Sequence, residues 1–282
     1  MGYQQGQAAY FMDIAAMPIA YEQALVAGAS HDDALQTLRD SLPPHMSVDI
    51  VRVQNSTAII LLDENTGEIT VAFDGSDEAA DRRDDMRFWN HDHAIGGDVH
   101  SGMWHSVMRE NGDGIFLDQV RDRVTEIAEN YGRDVSLNIT GFSRGGAMAH
   151  VAAGQWLAEG FPLREQGLGV DIRLDNVYAF GSLPVGDRDF VRAYEGAAQN
   201  ADVNIVSVNV AGDGITGILG PAWRPLTLLG APSYNQAGQI TQLEAPEGSE
   251  SIHSPAVYQE AIQESAFVSR QVQGPQPAPT LL

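Results

Sequence analysis

Two rhythms of apolar and polar positions run along this chain, and the switches between them mark out its elements. Ala8 to Val26 is apolar on nearly every side, which predicts a helix buried on more than one face. A second helix follows with Ser30 as its cap, and Pro43-Pro44 closes it. Val51 and Val53, Ile59 and Leu61, and Ile69 and Val71 then recur every second residue, the period of half-buried strands, with a turn at Glu64-Asn65-Thr66-Gly67. Phe116, Val120, Val124, Ile127 and Tyr131 return to helical spacing, and Gly132 stops that stripe. Val135 to Thr140 alternates as a strand does, and Met148, Val151, Ala152 and Trp156 form a helical stripe that Gly160 ends. Val177 to Phe180 and Val203 to Val208 predict later strands flanking a helix near Phe190, and Ser254-Pro255 opens a last helix with serine as cap. Strands alternating with helices from about residue 134 imply an α/β architecture with a mostly parallel, helix-covered sheet. Without an internal repeat or a mid-chain linker, one domain is expected over residues 1–270, with 1–45 as its N-terminal helical segment. Residues 271–282, rich in Pro and Gln, are expected to form a flexible tail.

Between the strand ending at Thr140 and the helix carrying Met148 lies Gly141-Phe142-Ser143-Arg144-Gly145, a G-x-S-x-G run in strand-turn-helix context. A turn this tight forces its serine into a strained backbone conformation and needs glycine two residues to either side, where a side chain would collide. The hydroxyl of Ser143 is thereby pushed out at the sheet edge, with the Arg144 N–H and the helix N-terminus aimed at the same point.

Composition narrows the chemistry around that serine. With 43% apolar and 19% charged residues among 282, the chain is a folded globule, and no apolar run has the length of a bilayer span. It has no cysteine, so disulfides and thiol catalysis are excluded. Its formal net charge is −22, which disfavours nucleic acid and strongly anionic membranes as partners. All sixteen cationic residues are arginine, a bias that fits genomic composition, a high-salt habitat or avoidance of lysine modification in a foreign cytosol. Met1 to Gly6 has neither the basic region of a signal peptide nor the Ser or Thr of a myristoylation site at position 6. The expected location is therefore cytoplasmic, or outside by a route that reads no such signal, unless the sequence is already a mature form.

A serine hydroxyl is a weak nucleophile at neutral pH, so an imidazole must take its proton and a carboxylate must hold the imidazole. In α/β-hydrolases the acid and then the histidine follow the serine. Beyond residue 150 the only histidine is His253. Asp213 stands in Ala211-Gly212-Asp213-Gly214, just after a predicted strand, where open α/β sheets place their chemistry. Asp202, Asp171 and Asp175 precede their strands and fall at the wrong end. A second oxyanion donor beside the Arg144 N–H is sought in Ser76, where the strand Val71-Ala72-Phe73 runs into Asp74-Gly75-Ser76.

These residues resemble the class 3, or fungal-type, triacylglycerol lipases, in family order over roughly residues 68 to 260. Val71 to Ser76 resembles the family's strand and oxyanion turn, Val99-His100-Ser101-Gly102-Met103 its "vHsGf" segment, and Ile139 to Ala147 its elbow. Phe180-Gly181-Ser182-Leu183-Pro184-Val185-Gly186-Asp187 with Phe190 is similar to "FGsPrvGd..F", and Tyr258 to the aromatic partner that follows the family's histidine. The resemblance implies an α/β-hydrolase fold, an ester-cleaving serine and a lid after the oxyanion turn. The lid falls on residues 77–98, where Phe88 and Trp89 sit among charges, and the apolar stretch around Trp223 and Leu226 is the further candidate for substrate lining. Phe142-Ser143-Arg144 departs from the family's usual His-Ser-Leu and resembles the GFSRG elbow of bacterial phospholipase effectors. The side chain of Arg144 is accordingly read in two ways: as a positive charge at the site mouth that suits a phosphate-bearing substrate, or as one partner of a salt bridge.

The expected function is that of a serine carboxylester hydrolase on lipid or other hydrophobic esters, touching lipid interfaces transiently and needing no cofactor. A phospholipase-type effector toxin is the alternative. A metal-centred hydrolase built on His91, His93, His100, His105, Asp92 and Asp98 lacks any rigid ligand spacing such as H-E-x-x-H. A non-catalytic protein on the same fold would be free to lose any of Ser143, Asp213, His253 and Ser76, and all four are present.

Overall fold

The computed structural model describes residues 2–74, 90–160, 169–218 and 233–272, with side chains through residue 265. Ser76, Phe88, Trp89, Trp223 and Leu226, and the tail beyond Val272, lie outside the described residues. The chain opens with α1 (Gln5–Val26) and α2 (His31–Ser41), the latter capped by the Ser30 side chain, which accepts from the Asp33 N–H at 3.1 Å. Strands β1 (Met46–Val53), β2 (Ser56–Asp63) and β3 (Glu68–Phe73) follow as an antiparallel meander. Next come the hairpin of β4 (Asn90–Asp92) and β5 (Asp98–His100), helix α3 (Ser101–Val107), the small pair β6 (Glu110–Asn111) and β7 (Gly114–Ile115), and α4 (Phe116–Tyr131). The second half reads β8 (Val135–Phe142), α5 (Arg144–Glu159), β9 (Ile172–Phe180), α6 (Arg188–Asn200), β10 (Asn204–Val210), β11 (Gln239–Leu243) and α7 (Pro255–Val272).

Seven strands form the central sheet in the order β1-β2-β3-β8-β9-β10-β11, parallel from β3 onward. The parallel set therefore starts one strand earlier than helix-strand alternation in the sequence suggests, because β3 closes the meander and also accepts β8 as neighbour. Period-2 alternation sends successive side chains to opposite layers. Leu137 and Ile139 of β8 and Val177 of β9 pack beneath α3, α4, α5 and α6, together with Met103, Val124, Trp156 and Phe190. Tyr178 and Phe180 of β9 and Val206 and Val208 of β10 face the other layer, where they meet Phe11 and Met12 of α1 and Tyr258 and Ile262 of α7. Further along the same helix, Ile14 and Tyr21 of α1 pack with α2 against Ile59, Leu61 and Ala72 of the meander. That three-sided burial is why α1 is apolar on nearly every side.

Two elements carry too little pattern to be read from sequence. Along β11, Gln239-Ile240-Thr241-Gln242-Leu243 buries only Leu243, as an edge strand can. Helix α3 is seven residues long and begins at His100, whose Nδ1 accepts the Gly102 N–H at 3.1 Å.

Buried histidines in the α3–α6 layer make the fold sensitive to acid. His150 of α5 is fully enclosed, with Nε2 3.1 Å from Ser207 Oγ and Nδ1 3.4 Å from the Tyr194 hydroxyl. His93, wedged against Trp104 and Phe190, accepts the Ile95 N–H at Nδ1 and reaches the Val151 carbonyl with Nε2 at 3.4 Å. Burial lowers both imidazoles to about 4, in His93 against a partly opposing hydrogen bond to Val151. The unfolded chain, with histidines near 6.5, binds more protons between those values, so stability is full above about pH 6.5 and falls as pH drops towards 4. Each histidine is expected to cost about 1 kcal/mol by pH 5.5. Relief of carboxylate repulsion begins only nearer the carboxylate range, below that window. Urea midpoints at pH 7.5 and 5.5 check this, and equal midpoints at the two pH values would refute it.

Candidate active site

The loops at the C-terminal ends of β8 and β10 and the start of α7 bring three side chains together. Ser143 links β8 to α5 with φ 57° and ψ −123°, a conformation that a non-glycine residue keeps only under surrounding constraint. Constraint comes from backbone packed on backbone. A Cβ on Gly141 would lie 2.7 Å from the Gly146 nitrogen and overlap the Gly145 carbonyl. A Cβ on Gly145 would lie 2.9 Å from Phe73 C and 3.0 Å from Asp74 C and overlap the Phe73 carbonyl oxygen. The elbow thus presses directly on the end of β3.

His253 Nε2 lies 2.7 Å from Ser143 Oγ, and its Nδ1 lies 2.8 Å from Asp213 Oδ2. Phe142 supports the imidazole from one face, with ring centroids 4.9 Å apart. Asp213 is fixed in the turn after β10, where its N–H donates to the Val210 carbonyl at 3.1 Å. Its carboxylate has no exposed side-chain surface, whereas the His253 side chain retains 26%. Besides the imidazole, the carboxylate accepts the Tyr258 hydroxyl at 2.6 Å on Oδ2 and the Ile215 N–H at 2.9 Å on Oδ1. Burial alone would raise the pKa of Asp213, but the His253 and Tyr258 hydrogen bonds, the imidazole charge and the Ile215 N–H outweigh it and hold the carboxyl below its ordinary value. Tyr258 moves the opposite way, raised by burial and by its bond to the same carboxylate, so it stays a donor. An ionised Asp213 keeps a proton on Nδ1 and leaves Nε2 free to accept from the serine.

The structure brings together the three residues that the sequence singles out, and adds supports that the sequence does not mark. Tyr258, which the sequence marks only through the family resemblance, lies five residues past His253 on the helix that Ser254 caps by accepting the Val257 N–H at 3.4 Å. That its hydroxyl reaches Asp213 is not marked in the sequence, nor is the Ile215 N–H. Of the two readings of the Arg144 side chain, the one that puts its charge at the site mouth does not hold. Its guanidinium is buried, 1% exposed, and donates from Nη2 to the Asn55 carbonyl at 3.1 Å in the turn between β1 and β2. The charge is spent inside the fold and does not stand at the site mouth. The Arg144 backbone is the first residue of α5, where N–H groups take no intrahelical partner.

The histidines considered for a metal are packing groups. His91 stacks on Trp104 at 4.5 Å, His93 is bonded to backbone on both nitrogens, and His100 caps α3. Among the described residues no three His, Cys, Asp or Glu converge as a metal site. Nor is any described helix long and apolar enough to cross a membrane.

Ser143 and His253 open into a cavity of about 450 Å³. Four residues of α1, Ala16, Ile19, Ala20 and Gln23, form one wall, and Pro255, Ala256 and Gln259 of α7 form the other. No local sequence signal marks α1 as part of the site, because its position there depends on packing against β8 and α7, far along the chain.

The sequence matches the family model described as lipase (class 3) over residues 70–221. The chain belongs to the class 3 lipase family. Among curated proteins no sequence matches this lipase, but solved lipases share its fold. One from Rhizopus microsporus var. chinensis is 17% identical with a TM-score of 0.60, covering 90% of this chain and 82% of that one. A triacylglyceride lipase from Rhizomucor miehei is 18% identical at a TM-score of 0.57, covering 84% of this chain and 79% of its own. A third, a triacylglycerol lipase whose catalytic centre is described as a serine protease triad, is 17% identical at 0.54, with coverages of 84% and 79%. This class 3 lipase has the α/β-hydrolase fold and is a serine ester hydrolase of the lipase type.

Proposed function

We propose that this lipase cleaves acyl esters of lipids with Ser143 as nucleophile, His253 as general base and Asp213 as the residue that orients and charges the imidazole. The reading rests on one observation, the continuous hydrogen-bonded chain Ser143–His253–Asp213 at 2.7 and 2.8 Å. As Ser143 Oγ attacks the acyl carbonyl, its proton passes to His253 Nε2, and the imidazolium is balanced by the Asp213 carboxylate. His253 returns that proton to the leaving alcohol. Water then repeats the sequence on the acyl-enzyme. Backbone N–H groups of Arg144 and Ser76 are assigned to the oxyanion, the first because it opens α5 and the second on sequence grounds alone.

For the substrate, the burial of Arg144 removes the argument for a phosphate-bearing lipid. The described residues that line the cavity include no carboxylate and no guanidinium, which favours neutral acyl esters over phospholipids. A fluorophosphonate probe should modify the Ser143 peptide and no other, and hydrolysis of nitrophenyl esters and triacylglycerol should exceed that of phosphatidylcholine. Modification elsewhere would overturn the nucleophile, and phospholipid preference would restore the effector-type alternative.

A further inference from the structure

The cavity beside Ser143 has a feature that the catalytic chain does not require: one of its walls is built from the first helix of the fold. Ala16, Ile19, Ala20 and Gln23 stand at i, i+3, i+4 and i+7, so they form a single stripe along α1. The adjoining face of the helix, with Ala8, Phe11, Met12 and Ala15, is packed into the core, and Ala16 and Ile19 lean on that same cluster. Gln5 Nε2 donates to the Ile262 carbonyl at 2.6 Å and Gln259 Nε2 to Asp13 Oδ1 at 2.9 Å, tying α1 to α7. The stripe is therefore a rigid face presented to the reacting atoms.

We infer that α1 is a wall of the acyl site: resting on Ser143 as nucleophile, the acyl chain of the ester lies in the groove between α1 and α7, and the small side chains of Ala16 and Ala20 set its width. A methylene chain needs only apolar surface, and Ala16, Ile19, Ala20, Phe142, Pro255 and Ala256 supply it. Glycerol or a phosphodiester would bring polar atoms that need partners, and besides Ser143 and His253 the described lining offers them only the amides of Gln23 and Gln259 and the hydroxyl of Ser254. At about 450 Å³ the space falls within the range of small-molecule sites. Stacked one turn apart, the two alanines leave room that any larger side chain would take.

Ala20→Phe and Ala16→Leu test this with p-nitrophenyl esters from acetate to palmitate. Both variants are expected to lose about tenfold or more in kcat/KM on octanoate and longer esters relative to their change on acetate. Ile19→Ala, which widens the same groove, is expected to move the optimum towards longer chains. An equal loss at every chain length, no loss, or a loss that follows the alcohol while the acyl group stays acetyl would overturn the assignment. A short fluorophosphonate reports the nucleophile separately. If the parent enzyme is labelled at Ser143 and the chain-length profiles coincide, the groove proposal fails alone. If Ser143 is not labelled at all, the catalytic reading fails and takes the proposal with it.

Discussion

Replacing Ser143 with alanine lowers kcat for a nitrophenyl ester by about 10⁵-fold or more, and His253→Ala does the same. The size of the expected loss follows from how the groups share one task. Ser143 without a proton acceptor is as inert as His253 without a nucleophile, so each deletion removes nearly the whole advantage. The double variant should accordingly be no slower than either single one, whereas independent contributions would multiply. Asp213→Asn is expected to cost about 10⁴-fold, because an amide can donate to Nδ1 and invite the wrong tautomer, leaving no acceptor at Nε2. Tyr258→Phe should cost only about tenfold, since Asp213 keeps the imidazole and the Ile215 N–H when the phenol is lost. Steady-state kinetics on the five variants, with circular dichroism to show that each is folded, checks the series. A Ser143→Ala protein retaining more than a few per cent of the activity would refute the assignment.

Gly145→Ala should be among the most damaging single-methyl changes in the described fold. Its Cβ would overlap the Phe73 carbonyl oxygen and stand 2.9 Å from the Phe73 carbonyl carbon, and both atoms belong to the end of a central strand. Side-chain rotation cannot relieve a clash between two backbones, so either α5 or β3 must move. The expected cost is about 3 kcal/mol or more, near a 10 °C fall in Tm for a chain of this size, with activity lost alongside because Ser143 moves with the helix. Gly196→Ala in α6 is the matched control. Nothing lies within 4 Å of a Cβ there, and the exchange should be neutral or stabilise by up to about 1 kcal/mol. Equal melting temperatures for the two variants would show that the contact between elbow and β3 is not what holds the turn.

Where patterns were local, the sequence was informative. Ser30, Gly132 and Gly160 sit at the helix ends they announce, and the strand leading to Ser143 and the helix leaving it occupy the predicted places. The sequence could single out Ser143, Asp213 and His253 because chain order and strand ends restrict where such residues can stand, and the structure brings their side chains together. What escaped depended on distant packing. Nothing near Arg144 states that its guanidinium reaches the β1–β2 turn, since that requires β3 and β8 to be neighbours. The cavity wall on α1 was hidden for the same reason, and β11 because five residues with one buried side chain carry almost no rhythm.

The clasp between α1 and α7 has a bearing on when this enzyme can first act. Its hydrogen bonds join residues 257 and 246 positions apart in sequence, and His253, the proposed general base, sits just ahead of α7. A nascent chain emerging from the ribosome can already hold the Ser143 elbow against β3, yet it has neither base nor second groove wall until α7 is synthesised and returns to α1. Hydrolytic activity on this reading therefore has to await the return of α7 to α1.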